Sequence, residues 1–282
     1  NRLIVGLGWP LVVLIFWLNK KRKVDLDQGI SLELSFLVLA AIYAGFIIIK
    51  GSITVFDSVI LFALFGVYVW LSRKKEHEST DLVGPAKSIA SLGVTGRRVV
   101  VVSVFVYSIL LILFSTELFA DGLIETGSHF GINEFILIQW LAPLASESPE
   151  MLIAVYFALK GSPRAALTML ISATVNQWTL LVGSLPIAYS FGFGSVAGLP
   201  LTTGDTISFV GNSLHRQQVE LFLTIAQTIL AISLVLRLYA SWQGMGLLLV
   251  FFVLQLLFSG TDQRLVLSFV AFLIAATLII VD

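Results

Sequence analysis

The strongest constraint on this chain is the recurrence of apolar runs about 17 to 25 residues long, the length a helix needs to cross a hydrocarbon layer about 30 Å thick. In such a layer every backbone N–H and C=O must find a partner within the protein, so the runs are helices or the strands of a closed barrel. Nothing shows the ten-residue alternation of a barrel. Composition agrees: 57% of residues are hydrophobic, 12% are charged and mean hydropathy is +0.98, whereas a soluble domain is about one quarter charged. The reading is an all-α, polytopic membrane protein.

Hydropathy places nine spans, at 3–18, 30–49, 53–72, 99–119, 134–158, 165–190, 218–237, 244–258 and 263–281. The polar stretch "SRKKEHESTDLVGPAKSIASLGVTGRR" separates the third from the fourth and is the only long linker. If "KKRK" at 20–23 faces the cytoplasm, alternation puts thirteen Lys and Arg on that side. Lys50, Arg216 and Arg264 fall on the other, with Arg2 left aside. This bias makes the linker cytoplasmic. The absence of Cys excludes disulfides, thiolate metal sites and Cys nucleophiles. A net charge of zero gives no nucleic-acid footprint.

Within "WLAPLASESPEMLIAVYFALKG" two carboxylates, Glu147 and Glu150, interrupt an apolar span near its centre. An ionisable group at that depth costs about 2.5 to 3.5 kcal/mol on insertion scales and therefore lines a polar cavity. Three residues apart on a helix, the two share a face, with Ser146 one turn from Glu150. Pro143 and Pro149 remove backbone donors and should kink the helix, freeing carbonyl oxygens. No Lys or Arg offers itself as a membrane partner, Arg237 lying at a span end. Clustered carboxylate, hydroxyl and carbonyl oxygens bind hard cations such as Ca2+ and Na+. On the next span Ser172, Asn176, Thr179 and Gly183 form one polar stripe, with Thr174 and Gln177 in a neighbouring row. Such a stripe serves helix packing or cation ligation equally well by itself.

"ASESPE", followed about twenty residues later by "SATVNQWTLLVG", resembles the second alpha-repeat of the calcium/cation antiporter superfamily, which includes the sodium/calcium and cation/proton exchangers. Pro149 and Glu150 fit the family's P-E, Ser146 its Thr, and Asn176 with Gln177 its amide pair; Ala145 replaces a Gly and Glu147 a Ser. The resemblance implies an inverted-repeat exchanger bundle whose principal cation ligand is Glu150, with Glu147, Ser146, Asn176 and Gln177 around it. The start "NRLIVGLGWPLVVL" resembles "QWTLLVGSLPIAY" at an offset of 176, with Asn1 opposite Gln177 and Pro10 opposite Pro186. Asn1 thereby joins the ligand set, and the chain reads as N-terminally truncated, beginning inside the third helix of the first repeat. The expected partners are inorganic cations, the bilayer and preceding helices of the same protein. The implied division is 1–72 for the rest of the first repeat, 73–98 for the linker, 99–260 for the second repeat and 261–282 for an additional helix.

Asp57, Glu117 and Glu220, near span ends, are expected to be solvated at the interface. Asp205 and Asn212 belong to a polar outer loop, and His77, His129 and His215 are scattered and form no metal set. Trp9, Trp17, Trp70, Trp140 and Trp242 suit an interfacial belt, whereas Trp178 is expected to wall the cavity.

Two carboxylates in a low-dielectric site cannot comfortably both ionise, so either a proton or a cation neutralises the pair. The expected function is secondary antiport of Ca2+ or another cation against H+ or Na+ by alternating access. It requires no cofactor beyond the transported ion, and the expected location is a bacterial plasma membrane. A cation channel with acidic pore residues is the alternative. An intramembrane hydrolase lacks the motifs it needs, neither H-E-x-x-H nor G-x-S-x-G being present, so the chain is not expected to be an enzyme.

Overall fold

A computed structural model describes residues 1–26, 30–73, 85–131, 137–209 and 211–281. Lys74, Lys75, His77 and most of the polar half of the linker lie outside the described residues. The chain divides into two units, Asn1–Lys75 with Glu147–Asp282, and Glu76–Ser146.

In the first unit the helices are α1 (Ile4–Lys20), α2 (Ser31–Lys50) and α3 (Val55–Ser72). The second unit contains α4 (Pro85–Ala90) and α5 (Val94–Phe130). The boundary between units falls inside α6 (Ala142–Leu159). Then follow α7 (Pro163–Phe193), α8 (Arg216–Val235), α9 (Trp242–Leu257) and α10 (Thr261–Val281). Six of the helices among the described residues are long and apolar enough to cross a membrane, and α1 and α9 are shorter apolar helices. The nine expected spans correspond to α1 to α3 and α5 to α10. The main departure is α5, whose 37 residues extend about 55 Å at 1.5 Å per residue.

Three short antiparallel ribbons join the loops of the first unit. The strands are β1 (Val24–Asp25), β2 (Ser52–Ile53), β3 (Leu199–Pro200), β4 (Thr206–Phe209), β5 (Asn212–His215) and β6 (Tyr239–Ala240), paired β1–β6, β2–β3 and β4–β5. The β1–β6 pair collects Lys23, Arg164 and Tyr239 at one end: Arg164 Nε donates to the Asp25 carbonyl at 3.2 Å and Lys23 Nζ lies 4.1 Å above the Tyr239 ring. The opposite end holds the β2–β3 pair and the Gln218 amide, which donates to the Ile48 carbonyl at 2.9 Å. The first unit therefore sorts these basic residues as alternation expects.

Helices from the two ends of the chain pack together: α2 on α8, α3 on α7, and α1 on α9 and α7. Their common core includes Trp9, Leu37, Ala40, Leu170, Ile171, Trp178, Leu223 and Leu230, all buried. Trp9 sits in this core rather than in an interfacial belt. Trp178, 1% exposed, belongs to this core; its indole N–H donates to Thr228 Oγ1 at 3.3 Å, tying α7 to α8. A buried indole needs an acceptor, and the hydroxyl supplies one.

Both α1 and α7 contain a five-residue π-helical turn, Ile4–Gly8 and Gln177–Leu181, each followed by twelve α-helical residues. A third, Leu137–Leu141, precedes α6. Prolines 10, 143 and 186 follow these turns. A proline cannot donate to the carbonyl four residues back and crowds it, which favours a wider turn just upstream. The elements repeat at an offset of 173, not the 176 that aligns Pro10 with Pro186. The wide turn has slipped by about one helical turn relative to its proline in the second copy.

Asp57 and Glu220 are not solvated at an interface: they are 3% and 8% exposed. Asp57 caps α3, accepting from the Thr54 N–H at 2.5 Å, Thr54 Oγ1 at 2.7 Å and Tyr43 Oη at 2.7 Å, and it pairs with the Lys50 ammonium. Hydropathy places these acids near water, but the loops fold back and partners replace solvent. Asp57→Ala removes a cap and leaves buried donors unmatched, so it is expected to cost about 2 to 4 kcal/mol. Thermal unfolding in detergent measures that loss.

Candidate cation site

Glu147 is positioned by the apolar stripe that continues from it. Met151, Ala154 and Ala158 are buried with it at i+4, i+7 and i+11, so the carboxylate stands at one end of the contact face of α6. It is 9% exposed. Glu150 lies about 60° around the helix at 100° per residue, at the edge of the stripe, and is exposed. The ranking implied by the resemblance, with Glu150 first, is thus inverted in burial.

Helices α6 and α7 are joined by a tight turn in which Gly161 adopts φ +86°, a left-handed conformation that favours glycine. The antiparallel return brings Gln177, at the start of the π-helical turn in α7, against α6. Its Nε2 donates to Glu147 Oε1 at 2.8 Å. The backbone nitrogen of Asn1 lies 3.8 Å from the same oxygen. Three buried oxygens in this group, Glu147 Oε2, Gln177 Oε1 and Asn1 Oδ1, have no hydrogen-bond donor among the described residues.

The remaining expected residues separate. Asn176 precedes Gln177 but is exposed. Ser146 belongs to the second unit, where its hydroxyl donates to the Pro143 carbonyl at 3.2 Å. Much of the polar stripe on α7 serves packing and its own backbone. Ser172 accepts from Tyr68 Oη at 3.0 Å, and Thr174 and Thr179 donate back to carbonyls of their own helix. Gly183 lets Phe62 approach so closely that an added Cβ would lie 2.9 Å from its ring.

The arrangement offers acceptors without matching donors. Each buried oxygen left in that state costs roughly 1 to 3 kcal/mol, more for a charged one. Carboxylate and amide carbonyl oxygens are the preferred ligands of a hard cation. Among the described residues no group of three or more His, Cys, Asp or Glu could hold a metal. The site is mixed carboxylate and amide, unlike a transition-metal cluster.

Among solved structures, the H+/Ca2+ exchanger CAX is 39% identical, with a TM-score of 0.91, over 100% of this chain and 68% of its own. The sodium–calcium exchanger NCX_Mj is 17% identical, with a TM-score of 0.47, over 90% of this chain and 74% of its own. A search of curated proteins finds no match. The family model for sodium/calcium exchanger protein matches residues 1–74 and 100–260, most of the chain. The chain belongs to the sodium/calcium exchanger family and is an integral, multi-pass membrane protein built as a cation antiporter.

Proposed function

We propose that the chain works in a bacterial plasma membrane, exchanging Ca2+ for H+ at the site built around Glu147, with Gln177, Asn1 and Glu150 as further ligands and Asn176 at its margin. The observation that carries this reading is the group of three buried, donor-free oxygens on Glu147, Gln177 and Asn1. Ca2+ takes six to eight oxygens, so Glu150 and water complete the shell. A proton on Glu147 neutralises the same carboxylate that the cation needs, which makes the two occupants mutually exclusive. That exclusion couples their movements. The CAX exchanger, at 39% identity, supports H+ rather than Na+ as the counter-ion. In this reading residues 1–72 and 99–260 belong to the two repeats, 73–98 form the cytoplasmic linker and 261–282 an added helix.

The test is flux in proteoliposomes containing the whole protein, reading internal Ca2+ and internal pH together. An outward H+ gradient is expected to drive Ca2+ uptake with matching internal alkalinisation, and Glu150→Gln is expected to abolish both. Uptake driven by Na+ alone would overturn H+ as counter-ion, and normal flux in Glu150→Gln would remove that residue from the ligand set.

A further inference from the structure

Helix α10 lies beyond the residues matched by the family, yet it inserts Arg264, 1% exposed, into the interior of the first unit. There the Arg264 guanidinium pairs with Glu220 Oε1 on α8, and its Nη2 donates to the Gln255 carbonyl on α9 at 3.5 Å. Gln255 Nε2 donates to Gln227 Oε1 on α8 at 2.8 Å, and Gln227 Nε2 donates to the Arg2 carbonyl at 3.0 Å. The Arg2 guanidinium returns to Glu220 Oε2 at 2.8 Å. These five residues form a closed polar ring, with Glu220 and Gln227 two turns apart on one face of α8. Arg216 flanks it, with Nε 3.9 Å from Glu220 Oε1 and Nη1 3.5 Å from Asp205 Oδ2.

The ring has a direction. Gln227 donates to the Arg2 carbonyl with its nitrogen, which leaves its oxygen to accept from Gln255, so turning the Gln227 amide over breaks two bonds. The ring meets the start of the chain through the side chain and the carbonyl of Arg2, the residue next to Asn1. Holding both fixes the peptide that carries the Asn1 amide against Glu147. The approach is close: a Cβ added to Gly6 would lie 2.6 Å from Gln227 Nε2.

We propose that the ring is a positioning device for the cation site, in which Gln227, Gln255, Glu220 and Arg264 act through Arg2 to hold Asn1 beside Glu147, and that α10 is thereby a working part of the exchanger. The proposal rests on the Ca2+ site described above. Gln227→Leu keeps the approximate volume and removes both bonds of the central amide. Half-saturating Ca2+ is expected to rise about tenfold, the worth of roughly one directional hydrogen bond, while the maximal rate stays within about twofold. Arg264→Gln, which breaks the ring at its far side, is expected to give the same split.

The discriminating measurement is a double-mutant cycle with Asn1→Ala, in which Gln227→Leu is expected to add less than about twofold. Additive losses, or a fall in maximal rate accompanied by a lower melting temperature, would mean that the ring only holds the fold and would overturn the proposal. Hydrogen exchange provides a readout independent of transport. In Gln227→Leu the amides of residues 3–8 are expected to exchange about tenfold faster while α2 and α3 are unchanged, and unchanged exchange at 3–8 would also overturn it. If the wild-type protein moved no Ca2+, the functional reading would fail, and the exchange measurement would still decide whether the ring positions α1.

Discussion

Glu147→Gln is expected to abolish Ca2+ exchange and to leave the protein assembled. The substitution preserves shape, and the new amide oxygen can still accept from Gln177 Nε2, which now lies 2.8 Å from the carboxylate. What disappears is the negative charge on the buried member of the carboxylate pair. Apparent Ca2+ affinity is expected to fall at least about 100-fold, equivalent to roughly 2.8 kcal/mol at 1.4 kcal/mol per decade. Because proton and cation use the same oxygens, the H+ counterflow is expected to disappear with the Ca2+ flux. Simultaneous recording of internal Ca2+ and pH in proteoliposomes, alongside an unchanged gel-filtration profile, checks this. Ca2+ flux surviving without H+ coupling would make Glu147 the proton carrier alone, and survival of both would remove it from the site.

Glu220→Ala acts on stability. It takes a carboxylate partner from Arg264, which is almost wholly buried, and from Arg2, 2.8 Å away. Breaking a buried ion pair by removing one member costs about 3 to 5 kcal/mol, because the remaining charge cannot return to water. At 2 to 4 °C per kcal/mol the melting temperature is expected to fall by roughly 10 °C. Glu220→Gln, which still accepts from the guanidinium groups, is expected to lose less than half of that. Equal losses for the two variants would mean that the side chain contributes packing rather than charge.

The membrane helices were legible because a hydrocarbon-length apolar run leaves a chain few alternatives. The carboxylates at 147 and 150 were legible because charge is costly at that depth, and the antiparallel return through Gly161 made Gln177 a credible neighbour of Glu147. The division of labour between the two acids was not, since an i, i+3 spacing puts them on one face without saying which side of that face meets the neighbouring helix. Asp57 and Glu220 were misread for a related reason. Hydropathy sees a charge at a span end and assigns it to water, but Lys50 at the end of α2 reaches Asp57, and Arg2, Arg216 and Arg264 gather on Glu220. The π-helical turns leave no compositional signal beyond the prolines downstream, and their slip from an offset of 176 to 173 shows that the proline does not fix the bulge. Trp178 was placed by its polar neighbours, whereas its position was decided by Thr228 on a helix about fifty residues away.

The two-residue ribbons have a mechanical consequence. The β1–β6 pair links the loop after α1 to the loop before α9, and the β2–β3 pair links the loop before α3 to the loop after α7. Each ribbon therefore stitches a loop among the first three helices to a loop among the last four, one at either end of the helices. A structure stitched at top and bottom cannot swing open like a pair of jaws without unzipping backbone hydrogen bonds at one rim. Helices that slide or bend within the two ribbons keep those backbone bonds, and disulfide bridges engineered across both ribbons are expected to leave exchange intact.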